Sequence, residues 1–476
     1  MECGIWNLTR GGFLYLSVDR YERPHFIYMP ILLPGIRELI EEKANGDIMD
    51  ILVEASTQDI AEILSRLPSS EALYVFNLLP VELAIDVFEE LDIEKENEIL
   101  GGVDEKKKIA ILNRMAPDDR ADLFEQLDEK HKKYYLSIMK KEEVEDVEEL
   151  LSYPPDTAGG LMTTDYVVVY EWMSVGDAVK RLREIAKETD FVYEIYVLNR
   201  KDRSVGIITL KDLIMCNPDE PVSKIMKTRM VRARVDDNQE KVAALFSKYD
   251  VTTMPVVNRK GIMKGIITVD DVIDVIEEED TEDMYHFGAA GNPPESYFSA
   301  GIFGTARRRM IWLLILVFAG FLSGSVIEHY SSTLQLMLIL ASFIPVLMDS
   351  GGNAGTQAAA VVIRGIAVGD IKIVNIWRVI GREFLVGALV GTGLACLTAL
   401  RAILTGSGGF VGLIVGSAMI ISVAIATALG GFLPLLFKKL NLDPALMSGP
   451  FLTTIMDVIS LGIYFEIARR MMRLIG

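Results

Sequence analysis

Asp457 stands inside "PFLTTIMDVISLGIYF", residues 450–465, within an otherwise apolar run that extends from Ala445 to Arg469. A carboxylate at the centre of a bilayer costs about 2.5–3.5 kcal/mol on insertion scales, so it must be repaid by a cation, a hydrogen bond or water. Thr453 lies one helical turn earlier on the same face, with Thr454 beside it. The segment therefore presents a carboxylate together with a hydroxyl or a carbonyl loosened by Pro450. These are hard oxygen ligands suited to Mg2+ or Ca2+, and no nearby His or Cys favours a softer metal. Mg2+ sheds water reluctantly, so one carboxylate per subunit suits a hydrated ion better than a dry cage. Two copies of Asp457 facing a dimer axis would match its charge. The rival role, half of a buried ion pair, finds no basic partner on this helix before Arg469.

A second stretch, "SFIPVLMDSGGNAGTQAAAVVIRG" (342–365), adds Asp349, Asn353, Thr356 and Gln357 at membrane depth. Its Pro345 is expected to loosen the carbonyl four residues earlier, and Gly351, Gly352 and Gly355 to allow close helix approach or a break, as a wet cavity tolerates. The elements that would carry these groups are five spanning segments, expected at 310–327, 334–363, 377–404, 410–437 and 445–472. Arg307, Arg308 and Arg309 precede the first; Arg364, Lys372, Arg378 and Arg382 flank the second loop; Lys438 and Lys439 follow the fourth. All three groups share one side, while Arg401, Arg469, Arg470 and Arg473 fall on the other, so the positive-inside rule is satisfied by majority, with the N-terminus cytoplasmic and the C-terminus outside.

Composition divides the chain in the same place. Of 476 residues with net charge −19, residues 300–476 carry 13 basic and 7 acidic side chains, leaving 35 and 60 for residues 1–299. A strongly acidic soluble part disfavours nucleic acid and favours cations as partners. Cys3, Cys216 and Cys396 are too few and too scattered for a disulfide framework or a zinc site. No nucleophile–base set or phosphate loop marks an enzyme.

Two internal repeats organise the soluble part. Leu67, Leu79, Leu91, Val103, Met115, Leu127, Met139 and Leu151 recur every twelve residues, several followed by helix-start Pro or Asp, which predicts a stacked array of short helices. Further on, "GIITLKDLI" (206–214) returns as "GIITVDDVI" (265–273), each copy preceded by a helix and a β-rich stretch, which predicts two copies of a small α/β unit. The second copy runs into "VDDVIDVIEEEDTED", where like charges one turn apart cost about 0.2–0.5 kcal/mol per pair. Such a run directly before the membrane reads either as a solvated linker or as a helix held by bound cations.

The repeated unit resembles tandem CBS domains, in which the positions of Thr209, Asp212, Thr268 and Asp271 often contact the ribose and phosphates of adenine nucleotides. With the helical array, the acidic helix and the motifs "PVLMDSGGNAGTQAAAVVIRG" and "DPALMSGPFLTTIMD", the chain from about residue 35 onward resembles the MgtE magnesium transporters. The resemblance implies a homodimeric, Mg2+-selective channel in the cell membrane. Asp457 would be its pore carboxylate, Thr453 its pore carbonyl and Asp443 an acid at the cytoplasmic mouth, with Asn353, Gln357 and Thr454 lining the path. It also implies regulatory Mg2+ sites between N-domain, CBS pair and connecting helix. Their ligands would be Asp118, Asp122, Glu240, Asp250, Asp271, Asp274, Glu279, Glu282 and Asp283. Asn238 stands where a further acid is expected, which would weaken that site.

The expected organisation is multidomain. An N-terminal extension, 1–34, without structure or family counterpart and with Met29 as an alternative start, precedes an all-α helical-repeat N-domain, 35–153. Tandem α/β CBS domains follow at about 154–217 and 218–276, then an acidic connecting helix, 277–299, and an all-α transmembrane domain of five helices, 300–476. Cytosolic Mg2+ would bridge the acidic surfaces and hold the connecting helix over the pore, while ATP or another adenine nucleotide would bind the CBS pair. The alternatives are a membrane-tethered nucleotide sensor, or a transporter for another divalent cation such as Co2+ or Mn2+.

Overall fold

The computed structural model describes residues 7–8, 14–15, 29–185, 194–293, 301–446 and 449–475. The chain forms two compact units that divide at Val272 and Ile273. In the leading segment two short strands, β1 (Asn7–Leu8) and β2 (Leu14–Tyr15), pair antiparallel, and helix begins at Met29 rather than near residue 35.

The twelve-residue repeat becomes ten-residue helices joined by two-residue turns. Helices α1 (Met29–Glu42), α2 (Asn45–Glu54), α3 (Thr57–Arg66), α4 (Ser69–Leu78) and α5 (Val81–Glu89) lead into α6 (Ile93–Gly102) and α7 (Glu105–Arg114). Then come α8 (Pro117–Gln126), α9 (Glu129–Ile138) and α10 (Lys141–Leu150). The repeating apolar residue ends its helix: Leu67, Leu79, Val103 and Met115 are C-caps with extended backbone, and all four are buried. Polar caps start several helices; Ser56 Oγ, for example, accepts the Asp59 N–H at 3.1 Å.

The two α/β units are alike. In the first, β3 (Val168–Tyr170) runs parallel to β4 (Glu194–Leu198), which pairs antiparallel with β5 (Ser204–Thr209). In the second, β6 (Ala233–Arg234), β7 (Thr253–Val257) and β8 (Met263–Thr268) repeat that order. Helices α11 (Val175–Ile185), α12 (Leu210–Met215), α13 (Val222–Ile225) and α14 (Gln239–Tyr249) complete the pair. The acidic helix α15 (Val269–Phe287) continues from β8 and so starts eight residues before the expected 277. Its expected tail at 294–299 lies outside the described residues.

Unit two contains α16 (Ile302–His329), α17 (Ser331–Leu336), α18 (Ile344–Ala367), α19 (Ile376–Leu404), α20 (Gly409–Lys439) and α21 (Gly449–Ile475). Four of these, α16, α19, α20 and α21, are long and apolar enough among the described residues to cross a membrane. The expected second span is not one helix. It breaks at Met337, passes through a 3-10 turn (Leu338–Phe343) and restarts as α18, with Pro345 in its first turn. Proline there removes a donor that the helix would not have used, so it begins α18 instead of opening it. α20 packs against α18, α19 and α21, and its Gly430 lies so close to α18 that an added Cβ would stand 2.2 Å from the Gly355 carbonyl oxygen.

Candidate functional site

Asp457 and Thr453 on α21 face Asp349, Gly352 and Asn353 on α18 across a cavity of about 520 Å³, which Ile344, Pro345 and Met348 also line. Glycine makes the approach possible: a Cβ on Gly352 would lie 2.9 Å from the Thr453 methyl, and one on Gly351 would lie 2.7 Å from Ser460 Oγ. Asp457 and Thr453 are half-buried, whereas Asp349, Asn353 and Gln357 lie along one stripe of α18, all three exposed. The Asn353 amide donates to Asp349 Oδ1 at 3.1 Å. Pro450 is the second residue of α21, so, like Pro345, it starts a helix and loosens nothing within it. The hydroxyls of Thr453 and Thr454 both donate to the Pro450 carbonyl at 2.8 Å. The like-charged Asp349 shares this cavity with Asp457, and no basic side chain lines it.

At one end of this unit, Asp443 precedes the short turn before α21. Its Oδ2 lies 2.9 Å from Nδ1 of His286 at the end of α15, whose Nε2 is 3.5 Å from Glu282. Burial opposes protonation of His286, but hydrogen bonds with Asp443 and Asn292 and the charge of Glu282 outweigh it, leaving its pKa above the usual histidine value. Asp283 is pushed up to about 6 by burial and by the neighbouring charges of Asp443, Glu279 and Asp280. Arg364 Nη1 reaches Asp280 at 3.3 Å, and Phe287 packs beside Ala359, Ala426, Leu452 and Met456. The end of α15 is thus held to α18, α20 and the start of α21 by two polar contacts and one aromatic ring. His286 and Phe287 were not foreseen from sequence; a lone histidine inside an acidic run was the available signal.

A second set of acids gathers in unit one. Asp118, Asp119 and Asp271 are mostly buried together. Burial followed by the charges of Asp118 and Glu89 raises Asp119 to about 9, and burial followed by Asp118 raises Asp271 to about 7. Asp118 is also raised by burial, and its Oδ1 is buried without a hydrogen-bond partner. Asp122 lies beside Glu96, which burial and the charges of Asp122, Glu89 and Asp92 push up to about 8. Glu96 was not among the residues expected from sequence, yet its place in the twelve-residue repeat is that of Ile60, Ala72 and Ala84, all buried.

The other expected ligands belong to α14 and α15. Glu240 is in the first turn of α14 and Asp250 ends that helix in the left-handed region, at φ 49°. Asn238 caps the same helix, accepting the Glu240 N–H at 3.0 Å. Asp274, Glu279 and Glu282 lie on α15 with Asp283. Among the described residues no three His, Cys, Asp or Glu side chains close around a point that could hold a metal. The nucleotide candidates serve as helix starts. Thr209 and Asp212 form a reciprocal cap, with Asp212 Oδ2 accepting from Thr209 N–H at 3.1 Å and from its hydroxyl at 2.7 Å. The Thr268 N–H and hydroxyl likewise donate to Asp271 Oδ2, at 3.4 and 2.5 Å.

Comparison with known proteins covers all these parts. Residues 344–467 match the family described as divalent cation transporter, 55–156 the MgtE intracellular N domain, and 158–218 and 222–278 the CBS domain. The magnesium transporter MgtE of Bacillus subtilis is 37% identical over 362 residues, 76% of this chain and 80% of that protein. That of Thermus thermophilus is 39% identical over 324 residues, 68% of this chain and 72% of that protein. A solved cytosolic domain of the Mg2+ channel MgtE in complex with ATP is 34% identical, with TM-score 0.49, covering 51% of this chain and 99% of the other.

Proposed function

The chain belongs to the MgtE transporter family, and from that premise we propose that it moves Mg2+ across a membrane beside Asp457. The observation that supports this most is the cavity in which two carboxylates, an amide and a threonine meet between apolar helices, with no basic side chain lining it. Hard oxygen donors and room for retained water suit Mg2+. Asp457 attracts and orients the hydrated ion, Thr453 and Asn353 offer oxygens to its water shell, and Gln357 extends the path. The polar stripe Asp349–Asn353–Gln357 would be costly against lipid. It is explained by a second copy of the chain, with the two Asp457 carboxylates facing a shared aqueous axis. The basic ends of the helices favour an N-terminus in the cytoplasm and a C-terminus outside.

The same reading makes α15 a gate and Asp443 the acid at its mouth. Asp118, Asp122, Asp271, Asp274, Glu279, Glu282 and Asp283 would hold cytosolic Mg2+, with Glu240 and Asp250 contributing on the second CBS unit. The orphaned Asp118 Oδ1 and the raised acids beside it fit a cation that lifts mutual repulsion. Bound Mg2+ supplies charge neutralisation; the chain's own residues supply the hold, His286 to Asp443 and Arg364 to Asp280. High cytosolic Mg2+ thereby favours the closed arrangement. ATP or another adenine nucleotide is proposed at the CBS pair, near Thr209, Asp212, Thr268 and Asp271.

The test is flux into liposomes holding the purified chain, with Mg2+, Ca2+, Co2+ and Mn2+ compared, with and without ATP. Losing one charged ligand is worth about 1.5–3 kcal/mol, so Asp457→Ala should cut Mg2+ flux about tenfold to a hundredfold. Undiminished flux removes Asp457 from the path, and a clear preference for Co2+ or Mn2+ reassigns the cargo.

A further inference from the structure

The basic residues at one end of the spanning unit do more than orient it. The 371–376 link, the first turns of α19 and the end of α20 meet there: Ile371, Ile376 and Val379 pack with Val362, Ile366 and Leu435. A Cβ on Gly431 would lie 3.1 Å from Glu383 Cγ, which shows how closely α19 and α20 approach at this level. Around that apolar floor stand Lys372, Arg378, Arg382, Lys438 and Lys439. Among the described residues none of the five makes an ion pair within 4.0 Å, although Arg382 lies beside Glu383. The exposed Asp370 precedes Lys372 in the chain, Asp443 follows Lys439, and Asp280 is paired with Arg364 on α18. Trp377 is 78% exposed at the same level, one residue into α19, and Val374 is 84% exposed just before it.

Unpaired cations would suit any polyanion. An exposed tryptophan and valine next to them, at the mouths of membrane-crossing helices, suit only an anion that brings hydrocarbon with it. We propose that this rim is a binding site for acidic glycerophospholipid, whose phosphodiester is held by Arg378, Lys438 and Lys439 while Trp377 lies against the glycerol and upper acyl chain. The proposal rests on the spanning helices alone and stands whether or not Mg2+ is the cargo.

The test uses the full chain with Trp6, Trp172 and Trp312 replaced by Phe, so that Trp377 is the sole tryptophan. It is reconstituted in phosphatidylcholine vesicles containing increasing fractions of phosphatidylglycerol brominated near the glycerol end of its chains. Quenching of Trp377 should saturate at a several-fold lower fraction than with equally brominated phosphatidylcholine. Arg378→Gln, Lys438→Gln and Lys439→Gln should each weaken that preference, by roughly fivefold per cation removed. Equal quenching by the two lipids overturns the proposal, as does a preference that the substitutions leave unchanged. Should a variant fail to fold, added salt on the unsubstituted chain decides the matter independently: a preference insensitive to ionic strength also overturns the proposal.

Discussion

At the scale of single residues, the molecule puts carboxylates where they are expensive. Glu96 is the clearest case outside the membrane, with its pKa raised from 4.5 to about 8, chiefly by burial. Between those values the folded chain keeps a proton that the unfolded chain has released, so stability falls as pH rises through that window. Glu96→Gln should flatten this slope, read as a smaller drop in thermal midpoint between pH 5 and pH 8. Asp119 and Asp271, raised to about 9 and about 7, and Asp283, raised to about 6, contribute to the remaining slope with the same sign. His286 is expected to act through Asp443, 2.9 Å away. His286→Ala should leave flux at low Mg2+ intact and weaken its closure at high Mg2+; flux unchanged under both conditions would remove His286 from the gate.

At the scale of elements, close packing rests on missing side chains. Gly430→Ala would drive a methyl group into the backbone of Gly355, an overpacking cost of about 1–3 kcal/mol, and should lower the yield of folded protein from detergent. The twelve-residue period was fully visible in the sequence because it fixes both the ten-residue helix and the buried cap that ends it. The pairing of Asp457 with Thr453 was visible as well, since one helical turn separates them. Asp349 was recognised as membrane-depth oxygen, but its position across the cavity from Asp457 depends on how α18 and α21 pack. The break at Met337 was hidden for a different reason: apolar residues continue through it, so hydropathy does not change where the backbone does. The prolines misled because a proline signals the same sequence break whether it interrupts a helix or begins one. The Thr-x-x-Asp pairs carried two meanings, phosphate contact and helix cap, and the structure supplies the second.

At the scale of the whole molecule, an acidic soluble part and a basic-rimmed membrane part share one helix, α15. Lowering Mg2+ should increase proteolytic cleavage between Glu277 and Asn292, because unneutralised acids on α15 oppose its packing. Cleavage that stays constant from nominally zero to millimolar Mg2+ would count against cation control of this segment. Dilution of acidic lipid, in contrast, should alter Trp377 quenching without altering that cleavage, which separates the two electrostatic demands.

The stripe on α18 has a consequence for movement as well as for binding. Asp349, Asn353 and Gln357 recur every fourth residue, so their rungs stand about 6 Å apart along the axis. On the proposed path, the next oxygen would come within reach of a cation before the previous one was wholly released. Inserting a single residue between Asn353 and Gln357 would swing the Gln357 rung about 100° aside and leave a gap in the climb.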